Sequence, residues 1–187
     1  KGLSKPMVFH VNSTEQGRAG DGSETIKRME RIAADQAERI VTVSYAMRDH
    51  LVRLGYDEKK IRVVYNGIDP DRFSPHRASK EEVKELRRKL GIKDDEYMIL
   101  FIGRLNWVKG ADTLLHAMPE IISRVPKAKL VIVGLGEQQE MLKHDVYRLE
   151  LEDHVILKYE FLPEEVKIKY YLASDVCVFP SKYEPFG

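Results

Sequence analysis

Short apolar runs alternate with stretches of helical periodicity along this chain, and that alternation leaves few folds open. The runs at 7–11, 39–43, 61–65, 97–102, 129–133, 155–159 and 176–179 have the length and β-branched content of buried strands. Between them, Ile26, Met29, Ile32, Ala33 and Ala37 recur at helical spacing and predict one apolar helix face. Ser44 stands where a helix cap belongs, ahead of Met47, Leu51 and Leu54, with Gly55 as the stop. Further helices are predicted over 111–125, 137–149 and 163–173. Strand–helix–strand repetition makes parallel sheets with helices packed on them, an α/β chain. The pattern lapses between Asp69 and Glu96, where Pro70 and Pro75 punctuate a polar stretch. Ser79 and Glu82 then read as a capping box for a helix ending before Gly91. The expected organisation is the closing part of one domain over 1–68, a linker with a helix over 69–95, and the opening part of a second domain over 96–187.

Composition narrows the function. The 187 residues carry a net charge of +1 with 33% charged residues of both signs, so no strongly basic face is expected for nucleic acid or anionic membrane. No apolar run reaches membrane-spanning length and no signal peptide is visible, so a cytoplasmic location is expected. Cys177, the single cysteine, lies in an apolar run and reads as a buried packing residue. His50 and His144 read as helix-surface residues. No His/Cys cluster has metal-ligand spacing, and Asp69 with Asp71 reads as turn or capping chemistry rather than a metal pair.

Ligands of open parallel sheets bind beyond the carboxyl ends of the strands, so three loops of the second domain carry the chemistry. After the 97–102 strand come Gly103, Arg104, Leu105, Asn106, Trp107, Val108, Lys109 and Gly110. Two cations beside a helix N-terminus suit a diphosphate, since the helix adds unpaired N–H groups and a positive dipole end. The plainer alternative is solvated side chains, or a Lys109–Asp112 ion pair. Gly134 and Gly136 follow the next strand, but Gln139 stands where a dinucleotide fingerprint needs its third glycine, which disfavours a nicotinamide-binding oxidoreductase. These glycines read as a tight turn or a close approach of backbone to ligand. At the end of the chain, Glu184, Pro185, Phe186 and Gly187 place a carboxylate at a strand end, suited to neighbouring sugar hydroxyls.

Four blocks occur in order: Ala33, Asp35 and 40–44; Asn66, Gly67, Ile68 and Asp69; Gly103, Arg104, Lys109 and Gly110; and Pro180, Ser181, Glu184, Pro185, Phe186 and Gly187. In these blocks the chain resembles retaining glycosyltransferases of the GT-B type, the group containing glycogen synthases and sucrose-type synthases. The resemblance implies two Rossmann-like parallel-sheet domains, each incomplete here, and a chain cut from a longer enzyme. It implies a nucleotide-diphosphate sugar donor carrying UDP, ADP or GDP, a saccharide or other hydroxyl acceptor, and no metal or other cofactor. Arg104 and Lys109 match the residues that hold the donor diphosphate, and Glu184 matches the first glutamate of a paired-glutamate motif contacting the transferred sugar. The second glutamate of that motif falls past residue 187, so this chain alone is expected to be inactive. Gly103, Phe161, Leu162, Pro185, Phe186 and Gly187 would line the donor site, with Phe161 and Leu162 near the base. A histidine that usually points at the sugar aligns with Asn12, and His10 lies two residues earlier on the same strand face; the choice between them stays open. Glu160 stands where the group usually has glycine. A non-catalytic module holding a nucleotide or sugar is the alternative.

Overall fold

Among the described residues every strand pair is parallel, as strand–helix–strand connections require. The computed structural model describes residues 5–19 and 22–186 and divides into two units, Lys1–Ile68 with Tyr183–Gly187, and Asp69–Lys182.

The first unit contains β1 (Val8–Val11), α1 (Glu15–Ala19), α2 (Glu24–Gln36), β2 (Arg39–Thr42), α3 (Tyr45–Arg53) and β3 (Ile61–Val63), with sheet order β1-β2-β3. Register puts Phe9 opposite Ile40 and Ile40 opposite Ile61, so one face of the sheet presents these side chains to Ala34, Met47 and Leu51. Ser44 caps α3 by accepting from the Met47 N–H, and Gly55 ends it at φ +80°, in the left-handed region. The predicted apolar face of α2 is covered only at its end, at Ala37. Ala34 and Ala37 are covered, whereas Ile26, Met29 and Ile32 are exposed, Met29 at 64%. Ala34 joins Ile40 and Met47 in the core, and the bulkier side chains of α2 are turned outward. Helix α1 was not predicted; Gly17 within it faces the Tyr183 ring, where an added Cβ would sit 2.2 Å from the ring.

The second unit begins inside the expected linker. Asp69 accepts from the Asp71 N–H to cap a short 3-10 turn at Pro70–Phe73, the capping chemistry expected of this pair. Helix α4 (Lys80–Lys89) opens on the predicted capping box between Ser79 and Glu82. Val83, Leu86, Leu90 and Ile92 then pack against Met98 and Leu100, in the second unit's core. The remaining elements are β4 (Tyr97–Ile102), α5 (Ala111–Arg124), β5 (Ala128–Val133), α6 (Gln139–Arg148), β6 (Val155–Lys158), α7 (Glu164–Ala173) and β7 (Val176–Cys177), in sheet order β6-β5-β4-β7.

Both faces of this sheet are covered, which explains unbroken apolar runs in place of alternation. Ile99, Phe101, Leu130 and Ile132 face α5 and α6, while Met98, Leu100, Val131 and Val133 face α4 and α7. The chain moves outward from β4 through β5 to β6, then crosses back to place β7 on the other side of β4. Loops at such a reversal leave a crevice at the carboxyl edge of the sheet. Cys177 is exposed, correcting the expectation of burial. In the described residues β7 pairs only with β4, over two positions, so apolar content alone did not bury it.

Candidate functional site

The β4–α5 loop is fixed by backbone. The Gly103 N–H donates to Val133 O at 3.0 Å, Leu105 N–H to Leu135 O at 2.8 Å, and Gln138 N–H to Leu105 O at 3.1 Å. Leu105 is wholly buried and anchors the loop from within. An added Cβ on Gly134 would lie 1.9 Å from Gly103 O, and one on Gly136 would lie 2.1 Å from Leu105 O. These two glycines therefore serve the close approach of one loop to the next.

A second lacing ties the loop after β7 to the start of α5. Lys182 N–H donates to Val108 O at 2.7 Å. Gly110, the N-cap of α5, has φ +74°, and a Cβ there would meet Pro180 O at 2.2 Å. No side chain caps α5, leaving its first turn of N–H groups to other partners. Asp112 in that turn accepts from Lys182 Nζ at 3.2 Å, while its Oδ1 is buried without a hydrogen bond. Lys182 Nζ also lies 5.7 Å from the centre of the exposed Trp107 ring. Lys109 is half-buried just before this turn, its N–H bonded to Asn106 O.

Beyond the ends of β4, β5 and β6 opens a pocket of about 350 Å³, within the usual size range of small-molecule sites. It brings together four residues predicted from sequence: Gly103, Arg104, Phe161 and Leu162. Leu162 is buried, Phe161 is 77% exposed, and the ammonium of Lys167 lies 5.1 Å from the Phe161 ring centre, at cation–π range. Tyr159 steadies this wall by donating to Gln139 O at 2.6 Å. Arg104 and Lys167 supply positive charge to the lining, and Glu160 supplies a carboxylate. Lys167 escaped the sequence reading because it sits in an ordinary helical stretch with no motif around it. Its position one turn into α7, beside the 160–162 segment, is the signal that points to it.

Lys109, on the same loop as Arg104, is not among the residues lining this pocket; the remaining predicted residues belong to the first unit. Ser44 Oγ donates to Pro185 O, and the Phe186 ring packs on Tyr65 with centres 6.1 Å apart. Glu184 is exposed next to them, and Gly187 lies outside the described residues. His10 and Asn12 are both exposed at the end of β1, so the structure does not choose between them. His50 is not a plain surface residue. Its Nε2 meets Thr14 Oγ1 at 2.9 Å and its ring meets Tyr183 edge-on, and burial, with Arg53 nearby, pushes the imidazole pKa down.

Comparison with known proteins assigns the family. Residues 82–187, more than half of the chain, match the model of glycosyl transferases group 1, and residues 1–72 match glycosyltransferase family 4. The chain belongs to the group 1 glycosyltransferases. The relatives of this group 1 chain include an uncharacterized glycosyltransferase of Methanocaldococcus jannaschii, 38% identical over 97% of this chain and 47% of that protein. Glycogen synthase of Mycobacterium tuberculosis is 30% identical over 97% and 42%. Among solved structures, Anabaena HepE in complex with UDP-glucose superposes with a TM-score of 0.82 at 25% identity, covering 98% of this chain and 49% of that one. Starch synthase IV of Arabidopsis thaliana, bound to ADP and acarbose, shares the fold with a TM-score of 0.67 at 22% identity, covering 83% and 37%. The chain is α/β with parallel sheets, matching the fold of these GT-B glycosyltransferase neighbours. The chain spans about half the length of the curated relatives it matches. No helix among the described residues is long and apolar enough to cross a membrane.

Proposed function

We propose that the whole protein transfers a glycosyl group from a nucleoside-diphosphate sugar to a hydroxyl acceptor, and that the pocket beyond β4, β5 and β6 takes the nucleoside end of the donor. The observation that carries this reading is the convergence of Gly103, Arg104, Phe161 and Leu162 on one pocket at the carboxyl edge of a parallel sheet. UDP, UDP-glucose and ADP in the solved relatives support the donor class. In this scheme the base lies against Phe161 and Leu162, and the diphosphate follows the Gly103 backbone towards Arg104 and Lys109. As the bond to the sugar breaks, negative charge grows on the departing diphosphate. Fixed cations aimed at that charge lower the barrier without reorganising. Removing one such cation costs about 3 kcal/mol of transition-state stabilisation, a rate loss of about a hundredfold.

Three finer features belong to the same proposal. Glu184, with the backbone of Pro185 and Phe186, holds the transferred sugar. The reaction retains anomeric configuration, and the acceptor is an α-glucan, as in glycogen synthase. The chemistry proceeds without a metal ion, since two side-chain cations supply the charge a metal would otherwise bring.

The test uses the whole protein with UDP-, ADP- and GDP-glucose and an α-glucan acceptor. Wild type is expected to release nucleoside diphosphate and extend the acceptor, with an α-anomeric product by NMR and undiminished turnover in EDTA. Arg104→Ala and Lys109→Ala are each expected to lower turnover about a hundredfold. Nucleotide binding without transfer from any donor would favour a non-catalytic module instead.

A further inference from the structure

Two side chains of opposite charge line the pocket beyond β4, β5 and β6 on the same side as its aromatic residue. Glu160 lies in the segment between β6 and α7, Phe161 follows it, and Lys167 stands one turn into α7. The Lys167 ammonium lies 5.1 Å from the centre of the exposed Phe161 ring. Among the described residues the carboxylate and the ammonium form no ion pair with each other. Around them the lining is apolar, from Ile102, Val133, Leu135 and Leu162. An ionised carboxylate only accepts hydrogen bonds and an ammonium only donates them. Held beside one aromatic ring, the two select a flat ligand whose edge carries donors next to acceptors. Arg104, the lining's other cation, is given to the phosphates under the reading above, which leaves Lys167 for the base.

We propose that Glu160 and Lys167 read the donor's base and that the base they select is guanine; the proposal rests on the transferase reading above and narrows its donor to a guanosine-diphosphate sugar. Guanine carries the acceptors N7 and O6 side by side, followed by the donors N1–H and N2–H2. An ammonium bonds the first pair, and a carboxylate accepts from the second with one oxygen each. Uracil has a single ring donor, N3–H, between two carbonyl oxygens. A carboxylate accepting from it turns its second oxygen against a carbonyl. Adenine puts its amino donor where guanine has O6, against the ammonium, and a lone pair where guanine has N1–H, against the carboxylate. Each mismatch leaves a charged group without its partner, which costs more than the mean worth of a hydrogen bond.

The experiment titrates the whole protein by calorimetry with GDP, inosine diphosphate, UDP and ADP, in wild type, Glu160→Ala and Lys167→Met. Inosine diphosphate differs from GDP only in lacking the N2 amino group, so it isolates one contact of the carboxylate. Wild type is expected to bind GDP at least about tenfold tighter than UDP or ADP, the scale of one bidentate base contact. It should bind inosine diphosphate about fivefold more weakly than GDP. Glu160→Ala is expected to weaken GDP about tenfold and to bring GDP and inosine diphosphate within about twofold of each other. Lys167→Met should weaken both alike, since both keep O6 and N7. Thermal melts report folding, and the wild-type comparison of GDP with inosine diphosphate carries the test if a variant is unfolded. UDP or ADP bound as tightly as GDP, or a preference for GDP over inosine diphosphate that survives in Glu160→Ala, overturns the proposal. The transferase reading outlives either result if the nucleotide that binds also supports transfer as its sugar conjugate. Failure of wild type to bind any of the four overturns both.

Discussion

Replacing Gly136 with alanine tests how the pocket beyond β4, β5 and β6 is built, without altering any residue that lines it. An added Cβ would lie 2.1 Å from Leu105 O, 2.6 Å from its carbonyl carbon and 2.8 Å from its nitrogen. All three are backbone atoms of a residue whose side chain is fully buried, so no flexible group can yield. The loops must separate, stretching the bonds from Leu105 N–H to Leu135 O and from Gln138 N–H to Leu105 O. Two hydrogen bonds at about 1 kcal/mol each, with some loss of packing around Leu105, give a destabilisation of about 3 kcal/mol. Because Gly103 and Arg104 line the pocket on this same loop, nucleotide affinity should fall with stability. Gly67→Ala is the control, since nothing lies within 4 Å of the added carbon and its φ is not in the left-handed region; a change below about 0.5 kcal/mol is expected. Chemical denaturation and UDP titration of both variants supply the readouts. A Gly136→Ala protein as stable as wild type, with the same UDP affinity, would refute the account of the laced loops.

Other expectations follow from single groups. The Glu82 carboxyl is held at about 2 by hydrogen bonds from Lys169 and from the Ser79 backbone and hydroxyl. Its folded pKa lies below the ordinary 4.5, so its contribution is present above that pH and lost as pH falls towards 2; Glu82→Gln should flatten that acid limb, and added salt should weaken the effect because the group is exposed. Ser79→Ala removes the capping hydroxyl of α4 and should lower stability by about 1 kcal/mol in denaturant titration. His50 should titrate below 6.5 by NMR, so acidification below that value charges a ring that folding holds neutral and costs the first unit stability; a midpoint above 6.5 would contradict the burial assigned to it.

The order of elements was readable in the sequence because two periodicities alternate cleanly. Ser44, Gly55, Ser79 and Glu82 announced their helix ends by chemistry that depends on the immediate neighbourhood alone. What misled was burial, which depends on distant chain. The run containing Cys177 is as apolar as the central strands, yet its place at a sheet edge leaves it exposed. Ile26, Met29 and Ile32 obey helical spacing yet are exposed, while Ala37 of the same predicted face, with Ala34, is covered. In the site, the loop residues Gly103 and Arg104 and the wall residues Phe161 and Leu162 were legible through family motifs and strand-end position. Lys167 was not, since its part in the pocket depends on how α7 lies against the segment before it. Gly134 and Gly136 could be read as a tight turn or as a close approach of backbone to ligand; the Gly103 and Leu105 carbonyls against them show an approach of loop to loop.

The central claim is that this pocket receives the nucleoside end of the donor. A crystal structure of the whole protein with UDP, ADP or GDP, whichever binds tightest, tests it most directly. The account predicts the base against Phe161 and Leu162 and a phosphate oxygen within hydrogen-bond distance of Arg104 or Lys109. A nucleotide found away from residues 103–104 and 160–162, in a protein that still transfers sugar, would contradict it.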